Sequence, residues 1–193
     1  KQYSALAIAT AAVLPMACKE EKEINSEDII DIAINKVVTG VGTATDFEKI
    51  DSIDINNDDV FDFELSTAAG IYDGTSYAYT GISGKNISNN ILTNNVVILG
   101  ETLKIPIAKN SGDKINSSST NWTKDAEVGL IYLGEEAGFA GDGDKFYGFK
   151  FSASDGIHYG WMKVNLTADY KTLTIKELAY HKTPNTEIAV GSK

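Results

Sequence analysis

Between residues 145 and 188 the strand alternation and the turn punctuation of this chain agree over their longest run. Tyr147, Phe149 and Phe151 alternate with Phe146, Gly148 and Lys150; Ser154-Asp155-Gly156 then supplies a turn. Beyond it His158, Gly160, Met162 and Val164 alternate with Tyr159, Trp161 and Lys163. A period of two sends successive side chains to opposite faces of a strand, so the segment predicts a hairpin. After a polar break at 167–171, Leu173 and Ile175 interleave with Thr172, Thr174 and Lys176, which adds a third strand and makes an antiparallel meander.

Upstream, Ile30, Ile32 and Ile34 alternate with Asp31, Ala33 and Asn35. Ser26 is placed to cap a short helix here, but the period favours a strand. Further strands are expected at 47–55, 60–67, 76–82, 95–99, 102–107 and 128–133, separated by Gly, Asn, Asp and Ser clusters. Pro106 fits only an edge strand or a bulge, because it has no N–H for a ladder. Residues 110–123 form the most loop-like segment, and nothing in them marks a domain boundary. About ten short strands at this spacing predict an all-β fold, an antiparallel β-sandwich, with a barrel as the alternative closure.

Composition bounds the rest. A chain of 193 residues with 42% apolar and 23% charged residues fits a single domain, here 29–193. A formal charge of −10 excludes nucleic acid as a natural partner, since such binders need a basic face to displace counterions. The single cysteine, Cys18, cannot form an intrachain disulfide.

The residues before that cysteine account for it. Ser4 to Val13 is an uncharged run of small and apolar residues, too short to span a bilayer but of the length of a signal-peptide h-region, and it closes on Leu14-Pro15-Met16-Ala17-Cys18. Leu-x-x-Ala-Cys resembles the lipobox of bacterial lipoproteins, in which the cysteine is lipidated and becomes the mature N-terminus. The resemblance implies a signal peptide at 1–17, clipped at its start, a lipidated Cys18 with a charged tether at 18–28, and a membrane partner reached through the lipid anchor. Lys19-Glu20-Glu21-Lys22-Glu23 is a solvated charge run. It also resembles the surface-export signal of Bacteroidetes lipoproteins. The expected location is therefore the outer membrane, facing the cell exterior or the periplasm.

One loop carries chemistry. Asp54, Asn56, Asp58 and Asp62 place oxygen side chains at positions one, three, five and nine, and Val60 at position seven offers its backbone carbonyl. Hard cations take several oxygen ligands, and this is calcium-loop spacing. The segment resembles the D-x-[DN]-x-D-G-x-x-D loops of secreted calcium-binding repeats, which implies a structural Ca2+. Asp59 stands where those loops prefer glycine, and Leu65 at position twelve rules out an EF-hand with its bidentate glutamate. Period-two flanks at Ile53 and Ile55, and at Phe61, Phe63 and Leu65, say that the loop joins strands. An Asx-rich hairpin turn is the alternative, because Asn and Asp cap their own backbone.

Other chemistry is sparse. His158 and His181 sit in no ligand pair or nucleophile motif, no phosphate loop or hydrolase motif occurs, and no catalytic residue is expected. The turn Gly141-Asp142-Gly143-Asp144 reads as a flexible hairpin, and Glu135-Glu136 as acids without a defined separation. Trp122, Trp161, Tyr77 and Tyr79 would stack on sugars if exposed, but alternation places Trp161 beside Tyr159 on a sheet face suited to core packing. Asp51-Ser52-Ile53 is similar to the O-glycosylation triplet of Bacteroidetes secreted proteins. Finally, Tyr147-Gly148-Phe149-Lys150-Phe151, His158-Tyr159-Gly160-Trp161-Met162-Lys163-Val164, Leu178-Ala179-Tyr180 and Thr183-Pro184-Asn185-Thr186-Glu187-Ile188 together resemble an uncharacterised all-β family of bacterial secreted proteins that often carries an upstream Asp-rich loop. The resemblance implies no particular activity. The functional expectation is a surface-anchored, non-catalytic binding or adhesion module for a glycan or a protein ligand. A glycan-active enzyme or a glycan-binding accessory protein of a polysaccharide-uptake system is the alternative.

Overall fold

The structure, a computed structural model, describes residues 26–40, 48–72 and 74–193. The signal segment, Cys18 and most of the tether lie outside the described residues. A single 3-10 turn at Ser26–Asp28 leads into β1 (Ile29–Thr39), β2 (Glu48–Ile53), β3 (Phe63–Tyr72), β4 (Thr75–Gly84), β5 (Asn90–Ile98) and β6 (Glu101–Pro106). Three two-residue strands follow, β7 (Ala108–Lys109), β8 (Lys114–Ile115) and β9 (Trp122–Thr123), then β10 (Asp125–Tyr132) and β11 (Glu135–Gly138). The chain ends with β12 (Asp144–Ala153), β13 (Gly156–Leu166), β14 (Thr172–His181) and β15 (Ile188–Ala189). The strand expected from the alternation at Ile30 to Asn35 is present and runs on to Thr39, and the Ser26 signal produces only the short turn before it.

Two antiparallel sheets make a sandwich. One runs in the order β1, β14, β13, β12, β5, β6, with β7 added to β12 and β9 to β5; the other runs β11, β10, β4, β3, β2. The expected meander is present as β12, β13 and β14, in register from Asp144 opposite Asn165 to Ala153 opposite Gly156. Proline is accommodated as its chemistry requires, since Pro106 ends β6 at the edge of its sheet. The sheets are also joined across one side, where the Lys104 N–H in β6 donates to the Glu127 carboxylate in β10 at 2.6 Å.

Between the sheets lies the main core. Phe63, Leu65, Ala69, Ala78, Ile82 and Val128 meet Tyr147, Phe149, Phe151, Met162, Val164 and Ile175 there. Phe63 and Phe149 cross from sheet to sheet edge to face, with centroids 5.8 Å apart. The meander is covered on its other face too. Trp161, Tyr159, Leu92 and Ala179 are buried there under Ile115, Ile188 and Val190, which come from β8, β15 and the residue after it. Burial on both faces is why 146–151 and 157–164 read as nearly continuous apolar runs. It also explains the segment 110–123: its two large apolar residues, Ile115 and Trp122, go to a second core, and it pairs β8 with β15 and β9 with β5.

Candidate functional site

Ile53 ends β2 and Phe63 opens β3 directly opposite it, so residues 54–62 form the connection of a hairpin at one end of the sandwich. Ile53, Ile55, Phe63 and Leu65 are all buried and hold the two legs of the loop, whereas Val60 and Phe61 project into solvent. For this reason β3 starts at Phe63, later than the apolar pattern from Val60 suggests.

The loop is wound around its own carboxylates. Asp54 accepts the N–H of Asp59 at 2.9 Å and that of Asp58 at 3.3 Å. Asp58 accepts the Val60 N–H at 2.9 Å and the Asn56 amide at 3.0 Å. Asn57 and Asp59 take the left-handed conformation, with φ of 56° and 65°. Asp59 thus takes the left-handed backbone that otherwise favours glycine, as Asn and Asp do more readily than other residues. The Asn56 side-chain oxygen is buried and has no hydrogen-bond donor.

Asp62 plays a different part. It is buried, with one carboxylate oxygen taking the Ile55 N–H at 2.8 Å and the other the Asn89 amide at 3.3 Å. Burial pushes its pKa up to about 6; Asp58 and Asp54 push the same way, while the bonds from Ile55 and Asn89 oppose them. Asn89 is the residue that sequence reasoning missed. Fully buried, it donates to the Asp62 carbonyl at 2.9 Å and accepts the Ser152 N–H at 2.9 Å, tying the loop to the end of β12. A buried asparagine with both ends engaged is a clamp, and within the polar break at 84–90 nothing distinguishes it from its neighbours.

The donor set of this loop is made of oxygens that accept and do not donate, the chemistry of a hard cation. Asp54, Asn56 and Asp58 with the Val60 carbonyl are the residues placed to supply ligands, and the orphaned Asn56 oxygen fits such a role. Asp62 spends a hydrogen bond on each oxygen and has its remaining lone pairs to offer. Among the described residues no group of three or more His, Cys, Asp or Glu side chains is already gathered as a metal cage. The carboxylates are turned to backbone amides instead. Beside the loop is a depression of about 370 Å3, lined by Ile32, Ile34, Ile53 and Leu178 together with Asp54 and Asn57 of the loop.

Several other titratable groups singled out in the sequence have structural partners. His158 is buried between Phe151 and Tyr180, its Nδ1 2.8 Å from the His181 carbonyl and its Nε2 2.9 Å from Asp155. A carbonyl only accepts, so Nδ1 carries a proton. The bond to His158 holds Asp155 below the usual carboxylate range. In the turn 141–144, Asp144 is bound by Lys176 at 2.6 Å and Lys163 at 3.5 Å, and Lys176 lowers its pKa. Glu136 receives the Tyr170 hydroxyl at 3.2 Å. Of the four aromatic residues singled out for sugars, Trp161 is fully buried, and Trp122 is half-buried with its Nε1 bonded to the Ser119 carbonyl and the Lys150 ammonium over its ring. Tyr77 and Tyr79 stand half-exposed on the other sheet.

No family model, curated protein or solved structure matches this chain. Among the described residues no helix is long and apolar enough to cross a membrane.

Proposed function

We propose that this protein is a lipid-anchored, non-catalytic binding or adhesion module of the bacterial outer membrane, with its β-sandwich stabilised by one calcium ion in the loop 54–62. The observation that carries the calcium part is the buried Asn56 oxygen without a donor, standing in a turn that also gathers Asp54 and Asp58. Asp62 is pushed up chiefly by burial and further by the charges of Asp58 and Asp54, and a divalent cation among these carboxylates would offset that repulsion. The anchor rests on the lipobox-like Leu14-Pro15-Met16-Ala17-Cys18 and on the charge run after it. The binding reading is supported by a sandwich whose two histidines and Glu136 are engaged in structural bonds.

Calorimetric titration of calcium into chelator-treated protein tests the ion. One site per chain is expected, with an affinity in the range of roughly 0.1 to 1 mM typical of extracellular modules. The site should vanish in the Asp54→Ala, Asp58→Ala double variant. Identical heats from wild type and variant would reject it.

A further inference from the structure

The two sheets of the sandwich are treated unequally on their outer faces. β8 and β15 roof the outside of the eight-stranded sheet over Trp161 and Tyr159. In the five-stranded sheet Leu65, Thr67, Ala69, Ala78, Thr80 and Ile82 point inward and are buried. Their neighbours in sequence, which strand geometry sends to the other side, are half-buried: Ser66, Ala68 and Gly70 on β3, Tyr77 and Tyr79 on β4, Leu130 and Tyr132 on β10.

Three tyrosines therefore share one outer face. Tyr77 and Tyr79 are two residues apart on β4, roughly 7 Å along the strand. Tyr132 is the cross-strand partner of Tyr77. Two glycines let the rings lie down. A Cβ on Gly70, which pairs with Tyr77 across β3 and β4, would stand 3.2 Å from Cε1 and 3.3 Å from the hydroxyl of that ring. A Cβ on Gly81 would stand 2.3 Å from the Tyr79 hydroxyl. The Tyr77 ring thus lies over Gly70, and the hydroxyl end of Tyr79 over Gly81, backbone that carries no side chain. The Tyr79 hydroxyl meets the Ser66 side chain, and the carboxylates of Glu127, Asp125 and Glu48 stand close enough to act on it.

We propose that this face, around Tyr77, Tyr79 and Tyr132, is a binding platform for neutral polysaccharide. The proposal names the ligand class for the binding module and rests on that reading. Flat aromatic rings offer their faces to the C–H sides of pyranose rings, and the surrounding carboxylates and hydroxyls accept hydrogen bonds from sugar hydroxyls. The same carboxylates, on a chain of net charge −10, repel acidic polysaccharides. A protein partner would call for projecting anchors and pockets, whereas half-buried tyrosines, two of them set against glycine backbone, provide area with little depth.

Native gel electrophoresis through soluble neutral polysaccharides (a β-glucan, a xylan and a mannan) tests it, with polygalacturonate and polylysine as charged probes. At least one neutral polymer should retard the wild type. The Tyr77→Ala, Tyr79→Ala double variant should bind about tenfold more weakly or less. Gly70→Val keeps both tyrosines but lifts the Tyr77 ring, so it too should weaken binding, while circular dichroism reports that each variant is folded. Retardation by none of the neutral polymers, retardation unchanged in the folded variants, or retardation by polylysine alone would overturn the proposal. So would dimerisation through this face, seen as a sedimentation change lost in the tyrosine variants. Reducing ends released by a protein whose tyrosine variants lose binding would support the platform and contradict the non-catalytic reading.

Discussion

A carboxylate such as Asp62, buried and close to Asp54 and Asp58, is easier to protonate in the folded chain than in the unfolded one. Folding then takes up a proton in the window between the ordinary value of 3.8 and the folded value of about 6. The native state holds that advantage below the unfolded value and loses it as the pH rises through the folded one. Asp62→Asn keeps an acceptor for the Ile55 N–H and removes the charge. In chelator, the midpoint of this variant should gain on wild type as the pH is raised from about 4 to about 7. A constant difference across that range would contradict the account. How far single residues were legible follows the same local logic. The spacing of Asp54, Asn56 and Asp58 is visible because the turn they build is made from its own neighbours. The clamp at Asn89 is not, since its partner Asp62 is 27 residues away. Alternation likewise put Trp161 and Tyr159 on one sheet face, but only the tertiary arrangement decides that their face is roofed and that Tyr77 and Tyr79 stand on an open one.

Among the elements, ten strands of six residues or more, β1 to β6, β10 and β12 to β14, fall where strands are expected; most bury one face and so write their period into the sequence, whereas β5 and β6 are buried at one end and exposed at their shared hairpin. The two-residue strands do not. β8 and β15 pair across a long stretch of chain and bury one residue each, too few to show any period. Two hairpin tips carry a cost that the pattern also hides. Leu99-Gly100 and Leu133-Gly134 connect their strands with positive φ at both central positions, 52° and 85° in the first and 53° and 80° in the second. Such turns favour Asn or Asp before Gly, and a left-handed leucine costs roughly 1 to 2 kcal/mol. Leu133 is exposed, so little packing is lost by changing it. Leu133→Asn should therefore stabilise the domain by about 0.5 to 1 kcal/mol in urea unfolding, with the same m value. A loss of stability would mean that the leucine makes contacts worth more than its strain.

At the scale of the molecule, the sandwich class was readable because antiparallel neighbours and polar turns recur along the chain, and the pairing of particular strands was not. β1 completes its sheet beside β14, joining Ile29 to His181, a register set by the whole core and not by local spacing. β1 also brings the start of the domain to the end of the sandwich that holds the loop 54–62. The eight residues from Cys18 to Ser26 reach at most about 28 Å, so an acyl anchor would keep that end near the bilayer. Cys18→Ala should move the protein from the membrane to the soluble fraction, because the anchor requires that one thiol. Equal membrane retention of the variant, with no lipid on wild type by mass spectrometry, would remove the anchor from the account.

Thermal unfolding with and without calcium tests the central claim most directly. A ligand that binds the native state alone stabilises it by mass action. At a weak dissociation constant near 1 mM, calcium on the order of 10 mM adds about 1.4 kcal/mol, or about 3 to 6 °C in midpoint for a domain of this size. Chelator should lower the wild-type midpoint by that amount and leave the Asp54→Ala, Asp58→Ala protein unmoved, a control against loose binding to the acidic surface. A wild-type midpoint indifferent to both chelator and calcium would make the loop an ordinary Asx-rich turn and contradict the account.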